Sequence, residues 1–514
     1  MYAGPSFKAP SGAELRPLQA PPKPMRTPSA LFTRALQSSA LVAILALISC
    51  SGETPAPVLP SGPVPLEPKG CGFKVVTRDD YRAWSIDKND VGPSPNIRRV
   101  RLGLGGNVSP DAEGRADPAT SAAFAWQTDD GTFASEVAWG TTPDPATWPA
   151  ENRTSGATWL TPPGIIVPNG EARMHEAYVC GLTPATTYYY RVGGGPEGKE
   201  VWSDVLSFTT TPKDPAASIT IGLTGDSRGQ DNEAYRLIQR RFMLANVNLS
   251  LFSGDMINFS GDQLEWEKWL DLAWKDTDGA PLTLGQKLTL YTHGNHENYT
   301  TLFFGNLVMP QEPDTFPGVG ELFYSVDVGP AHIVVVDDLS VAYPDLVPGL
   351  KESLEKWLRA DLEAANKNRA NVPWIITMHH HSEYSSSNHG TDEDVLRVRE
   401  FFVPIWDEFH VDMNVAGHDH NYERTKPLSG PAMTPTIHES FADGTVYVVC
   451  AGAGADPYSA GVSDFTAASR EYKSNGALGF YALLKVDKAS LKLETHELRA
   501  DGSDPITDEV TIAK

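Results

Sequence analysis

Residues 218–228 read SITIGLTGDSR, a short apolar, β-prone run that ends on a glycine and delivers Asp226 into a turn. The same pattern recurs along the chain. LSLFSGDMIN at 249–258 delivers Asp255, and KLTLYTHGNHE at 287–297 delivers Asn295 and His296. PWIITMHHH at 373–381 ends on His379, His380 and His381, and VDMNVAGHDH at 411–420 delivers His418 and His420. Runs of this kind read as strands buried on both faces, as in a parallel sheet covered by crossover helices. Loops that bind ligands gather at the carboxyl ends of such strands. The pattern therefore predicts that two Asp, one Asn and three His side chains converge, a donor mix that suits a two-metal hydrolytic centre.

Between and around these runs the periodicity changes from strand to helix. Helical stretches include NEAYRLIQRRFMLANV, DQLEWEKWLDLAWKD, SLEKWLRADLEAANKN and DVLRVREFFVPIWDEFH. LFYSVDV and AHIVVVD around Gly329-Pro330 read as a hairpin, and so do GFYALLKV and LKLETHEL around Asp487-Lys488. Residues 214–514 are thus expected to form an α/β domain with mixed sheets. Residues 71–213 instead show short alternating segments such as SAAFAWQT, ASEVAWG and TTYYYRVGG separated by Gly, Pro and Asn, the signature of an antiparallel sandwich.

The first 70 residues carry no such pattern. Arg26 and Arg34 precede an apolar stretch from Ala40 to Ile48, too short for a membrane span and typical of an export signal. Residues 1–50 are read as that signal, with Met25 as an alternative start, and 51–70, with six prolines, as an extended spacer. In an oxidising compartment Cys71 and Cys180 are candidates to pair, while Cys450 follows the strand-like TVYVV and reads as a buried apolar side chain. The 514-residue chain is too long for one core, and its 12 Trp and 19 Phe support a well-buried globular protein. A net charge of −23 argues against a nucleic-acid binder.

The ordered set Asp226, Gly254-Asp255, Gly294-Asn295-His296-Glu297, a strand into His380, and Gly417-His418-Asp419-His420 resembles the calcineurin-like metallophosphoesterases. A β-sandwich ahead of it and the wording Gly417 to Arg424 are similar to the purple acid phosphatases. Gly181 to Tyr190 (GLTPATTYYY) resembles the corner before a late strand of fibronectin type III modules, and Leu47-Ile48-Ser49-Cys50 resembles a bacterial lipobox. These resemblances imply a four-layer α/β metallophosphoesterase sandwich of mixed sheets and helices behind a fibronectin III-like sandwich. They also imply lipidation of Cys50, and so an exported protein, periplasmic or cell-surface, that meets a membrane only through its anchor. They imply two divalent or trivalent metal ions (Fe, Mn or Zn), with Asp255 bridging, Asp226 and His420 on the first, and Asn295, His380 and His418 on the second. His380 is preferred to its neighbours because Trp374 precedes it by six residues and Tyr384 follows by four, as in the purple acid phosphatase pattern. Strand alternation also turns His379 and His381 to the other face. By the same resemblance His296 and His389 would contact the phosphate from the substrate side.

Two positions depart from these families. The tyrosine whose charge transfer to ferric iron gives purple acid phosphatases their colour is replaced by Asn258, and the histidine that other metallophosphoesterases place two residues after the first Asp is Arg228. A guanidinium has no lone pair for a metal and stays protonated. Arg228 is therefore expected either to clamp a phosphate oxygen, to take over part of the first metal site, or to turn to a surface carboxylate. The implied reaction is hydrolysis of a phosphate ester by a water that the metals acidify from a pKa of 15.7 to about 7. A phosphomonoesterase is the leading expectation. A phosphodiesterase or nucleotidase on the same fold remains open, as does a surface-anchored binding protein with a degenerate metal site.

Overall fold

The computed structural model describes residues 65–76, 89–109, 114–161, 173–228, 232–310, 321–472 and 476–514. The expected export signal at 1–50, with Cys50, and most of the 51–70 segment lie outside the described residues. Among those described, no helix is long and apolar enough to cross a membrane.

The strands that begin the ligand motifs form two mixed sheets. In the first, Ile219–Thr224 pairs in parallel with Leu249–Phe252, which pairs in parallel with Leu288–Tyr291. In the second, Ala331–Val335, Trp374–His381, Met413–Gly417 and Val446–Cys450 lie side by side in parallel. Leu249–Phe252 and Trp374–His381 are buried at every position, as runs without polar alternation require. Both expected hairpins form: Tyr324–Val328 with Ala331–Val335, and Ala477–Val486 with Ser490–Arg499. One apolar core spans both sheets and takes in Ile221, Leu251, Ile376, Val415 and Leu484.

Helices cover the sheets where the 3.6-residue period predicts. Glu233–Leu244 is capped by the Asn232 side chain, which accepts the Tyr235 N–H at 3.1 Å. Leu350–Lys367 buries Leu350, Leu354, Trp357, Leu358, Leu362 and Ala365 on one face. Gln263–Trp274 and Glu393–Phe409 complete the long helices.

Residues 98–209 form a two-sheet antiparallel sandwich. Arg98–Gly103, Ser121–Thr128, Arg173–Cys180 and Ala157–Leu160 make one sheet. Thr187–Gly194 centres the other, flanked by Glu136–Gly140 and Leu206–Thr209. At its corner the Thr183 N–H donates to Tyr188 Oη at 3.0 Å. Cys71 and Cys180 are disulfide-bonded, and Pro65–Leu66 doubles back to pair with Val75–Val76.

The sandwich is bound to the α/β layers by specific polar contacts. Tyr190 Oη donates to the Gly285 carbonyl, and Trp357 Nε1 donates to the Val108 carbonyl at 2.9 Å. Arg99 reaches Asp271 through two bonds of 2.8 Å. Arg115 donates to Asp361 at 3.1 Å.

Candidate metal centre

Three strands of the motif series, Ile219–Thr224, Leu249–Phe252 and Met413–Gly417, end in loops whose backbone is forced out of the common regions. Asp226, Arg228, Asp255 and His418 all have positive φ, at 57°, 36°, 55° and 71°. Such strain persists only where surrounding bonds hold it. Here the Asp226 N–H donates to the Gly254 carbonyl at 3.0 Å, and the Arg228 N–H to the Asp255 carbonyl at 3.1 Å. The glycines of the motifs make room for the neighbouring loop. A Cβ at Gly294 would lie 2.2 Å from Asp255 Oδ1, and one at Gly417 would lie 2.3 Å from Asp226 Oδ2.

The six predicted ligands are brought together in one buried cluster. His380 Nε2 lies 3.3 Å from Asp255 Oδ1 and 3.1 Å from Asn295 Oδ1. His418 Nδ1 lies 3.2 Å from the same Asn295 oxygen, and its N–H donates to Asp226 Oδ1 at 2.9 Å. His420 Nε2 is 3.6 Å from Asp226 Oδ1. One ligand atom from each of Asp226, Asp255 and His380 lies within 4.8 Å of the others.

The donor set fits metal ions. His380 Nδ1–H donates to the Ser253 carbonyl at 2.8 Å, and His420 Nδ1–H to the Asp456 carbonyl at 2.6 Å, so both present a bare Nε2 to the cluster. Asp226 Oδ2 and His420 Nε2 are buried with no hydrogen-bond partner among the described residues. Burial lowers the pKa of both His380 and His420 to about 4, which keeps the imidazoles neutral and ready to donate a lone pair. Burial, reinforced by the Asp255 charge, raises Asp226 well above the ordinary carboxylate range. Burial would raise Asp255 too, but His380, Arg228 and His296 outweigh it and hold that carboxyl below the usual range. Two buried carboxylates that resist being charged together are a setting that cations relieve.

Both neighbours of His380 are held by Asp338. His379 Nε2 lies 2.9 Å from Glu383, and both His379 and His381 approach Asp338 Oδ2, at 3.3 and 3.1 Å. A bulge between Met378 and His381 still brings the His381 ring within 4.3 Å of the His418 ring. Of the two expected substrate-side histidines, His296 Nδ1 bonds the Asn258 carbonyl at 2.8 Å and its Nε2 lies 4.0 Å from Asp255 Oδ2. His389 is held by Asp392 at 2.8 Å with its ring 4.6 Å from that of His418. Both side chains are partly exposed, on the open side of the cluster.

Arg228 turns inward to Asp255 rather than to the surface. Its Nε and Nη2 donate to Asp255 Oδ2 at 2.9 and 2.7 Å. The Asn258 side chain, where a tyrosine ligand would stand, donates to the Arg228 carbonyl at 2.9 Å.

Two residues escaped the sequence reading. Glu297, quoted only as part of its motif, accepts the N–H groups of Asp255 and Gly294 at 2.8 Å each. Tyr458 stacks on the His420 ring, with the centroids 4.2 Å apart. Tyr458 lies in the loop after the strand Val446–Cys450, a run that the sequence reading used only to place Cys450.

Comparison with known proteins agrees with this geometry. Residues 219–422 match the calcineurin-like phosphoesterase family, and 112–210 match the purple acid phosphatase N-terminal domain. The chain is 29% identical over 275 residues to a purple acid phosphatase of Glycine max, covering 50% of this chain and 54% of that protein. It is 25% identical over 364 residues to a phosphoenolpyruvate phosphatase of Allium cepa, covering 68% of this chain and 66% of that one. The chain thus spans about half the length of the soybean relative. A purple acid phosphatase from yellow lupin (Lupinus luteus) seeds shares the fold, with a TM-score of 0.63 at 18% identity over 82% of this chain and 74% of that one. The chain carries a phosphoesterase domain of the metallophosphoesterase fold, with a β-rich domain ahead of it.

Proposed function

We propose that this protein is an exported, metal-dependent phosphohydrolase that acts on phosphate monoesters. The observation that carries the reading is the convergence of Asp226, Asp255, Asn295, His380, His418 and His420, with two imidazoles locked in the tautomer that ligates. Asp255, Asn295, His380 and His418 would hold one metal, and Asp226 and His420 the other. Bound metal ions supply an acidified water and screen charge on the phosphoryl group. The chain's own residues do the rest. His296, whose Nδ1–H is fixed by the Asn258 carbonyl, would as the imidazolium donate its Nε2–H to a phosphoryl oxygen or to the leaving oxygen that must gain a proton, and be left as the neutral ring. His389, oriented by Asp392, holds the ester from the opposite rim.

The monoester preference draws on the Allium cepa relative, whose named substrate, phosphoenolpyruvate, is a phosphate monoester. Export draws on residues 26–50 and on the Cys71–Cys180 disulfide, a bond of oxidising compartments. In this reading Cys50 carries the lipid, and the loss of labelled-lipid incorporation in Cys50→Ala would check it. The sandwich is read as a fibronectin III-like module, supported by the Tyr188 corner bond.

The test is to strip the purified protein with a chelator, reload it with Mn, Zn, Fe or Ca, and assay aryl phosphate monoesters and diesters side by side. Metal-restored turnover that favours the monoester is expected. A diester preference would move the assignment to a phosphodiesterase or nucleotidase. No turnover with any metal would overturn it in favour of a binding protein.

A further inference from the structure

We propose that the two metal positions are unequal. The one formed by Asp255, Asn295, His380 and His418 retains its cation, while the one at Asp226 and His420 holds a cation only in equilibrium with free metal. The cause is Arg228, which has taken the Asp255 oxygen that would complete the second of these positions. This inference rests on the metallophosphoesterase reading of the site and adds to it which position is permanent.

The argument begins with lone pairs. A carboxylate oxygen offers two acceptor directions. Asp255 Oδ2 accepts both Nε and Nη2 of Arg228, at 2.9 and 2.7 Å, so both directions are used. Asp255 Oδ1 faces His380 and accepts the His296 N–H at 3.1 Å, on the side of the retained position. What remains for the other cation is Asp226 Oδ2 and His420 Nε2, both buried and unpartnered among the described residues. Those two atoms still call for a positive charge, so the position binds. Two protein donors are nevertheless fewer than the three that catalytic metal sites keep.

Arg228 is not free to swing aside. Its N–H bonds the Asp255 carbonyl at 3.1 Å, and its own carbonyl accepts the Asn258 side chain at 2.9 Å. The guanidinium makes two bonds to the buried Asp255, and the side chain is only 19% exposed. The two residues that depart from the family pattern thus act together, because Asn258 fixes the backbone of the arginine that displaces the metal's third ligand. A guanidinium stays charged at any working pH, so it also repels an incoming cation.

The experiment uses the purified full chain. It is saturated with Zn(II), desalted, and its metal content is measured by plasma mass spectrometry. The wild type is expected to keep one zinc per chain and Arg228→His two, because the imidazole restores a ligand and frees Asp255 Oδ2. His380→Ala should lose the retained zinc, whereas His420→Ala should keep it. Calorimetric titration of the metal-free wild type provides a measure that needs no variant to fold: two phases at least about tenfold apart in affinity are expected. Two zincs retained by the wild type, a single phase of two equal sites, or no retained zinc would each overturn the inference. Failure of the phosphohydrolase reading would look different, as one zinc retained and no turnover even in excess free metal.

Discussion

Glu297 and Asp255 are joined through the backbone: the buried Glu297 carboxylate accepts the Asp255 N–H at 2.8 Å while it also accepts that of Gly294 at 2.8 Å. Its other oxygen takes the N–H groups of Met256 at 2.8 Å and Ile257 at 3.3 Å. One side chain therefore fixes the loop of Asp255 against the loop that carries Asn295. Burial and the nearby Asp255 charge push Glu297 up to about 7, against the pull of these N–H groups. The positive φ of Asp255 is one of the strains this carboxylate sustains.

Glu297→Gln should therefore loosen the metal centre without touching a ligand. The amide keeps one acceptor oxygen and turns an NH2 group toward two of the N–H donors. Buried donors left unpaired cost about 1–3 kcal/mol each. Metal affinity is expected to fall about 10–100-fold, in line with other outer partners of metal ligands. Calorimetric titration with Zn(II) and urea unfolding of the metal-free protein would read the two effects. Unchanged affinity together with an unchanged urea midpoint would show that the staple is dispensable.

The pair His332 and Asp361 predicts a pH dependence of stability away from the metals. His332 is buried, with Nδ1 2.7 Å from Asp327 and Nε2 2.9 Å from Asp361, which also receives Arg115 from the sandwich. Burial alone would lower its pKa, but the two carboxylates outweigh it and raise the value from 6.5 to about 9. The folded value lies above the unfolded one, so the stabilisation is full below pH 6.5 and is lost as pH rises through about 9. Thermal midpoints of the wild type should fall relative to His332→Gln across that window. A wild-type-minus-variant difference that stays flat from pH 6 to 10 would count against the charged histidine.

The parts of this architecture that were legible in the sequence are those where one physical rule acts locally. Leu249–Phe252 and Trp374–His381 have no polar alternation because both faces are buried, and that alone placed their loops at one end of a sheet. His380 was preferred on the family spacing of Trp374 and Tyr384, with period-two alternation beside it; His379 and His381 lie against Asp338, and a bulge also brings the His381 ring 4.3 Å from that of His418. Glu297 was opaque for the opposite reason, since its partners are backbone N–H groups of a loop some forty residues earlier and leave no trace in side-chain pattern. Ile506–Ala513 also went unread, because only Ile512 of that edge strand is buried and no apolar rhythm marks it. The sandwich contact through Arg99 and Asp271 depends on two exposed-looking charges far apart in the chain, which sequence cannot pair.

Asn258 predicts that the protein is colourless when loaded with iron in air. Its side chain is committed to the Arg228 carbonyl, and its own carbonyl to His296, so this position presents no phenolate to a metal. Tyr458 lies nearby but spends its ring on His420, and burial raises its pKa further from ionisation. The visible spectrum after aerobic iron loading should lack a tyrosinate charge-transfer band. A strong band would mean that Tyr458 leaves its stack on His420 to bind iron, and its loss in Tyr458→Phe would identify the ligand.

The Cys71–Cys180 bond predicts a large effect of reduction on the sandwich and a small one on the metal centre. The disulfide closes a loop of 109 residues that contains Arg98–Gly103 and Ser121–Thr128, two strands of the sheet on which Cys180 itself lies. Cross-linking so long a loop removes chain entropy from the unfolded state, an effect of about 2–5 kcal/mol. Around it Ala123, Ala125, Ala157, Tyr178 and Val308 form a small core of their own, so the reduced cysteines would leave a packed surface partly open. Guanidinium unfolding of Cys71→Ser/Cys180→Ser should therefore show a midpoint well below that of the oxidised wild type. The ligand loops are held by their own bonds to Glu297, Ser253 and Asp456, and none of these involves the sandwich. Retained zinc in the folded variant should accordingly match the wild type. A variant that lost its metal along with its midpoint would show that the two domains unfold as one, with the sandwich serving as the lock on the centre.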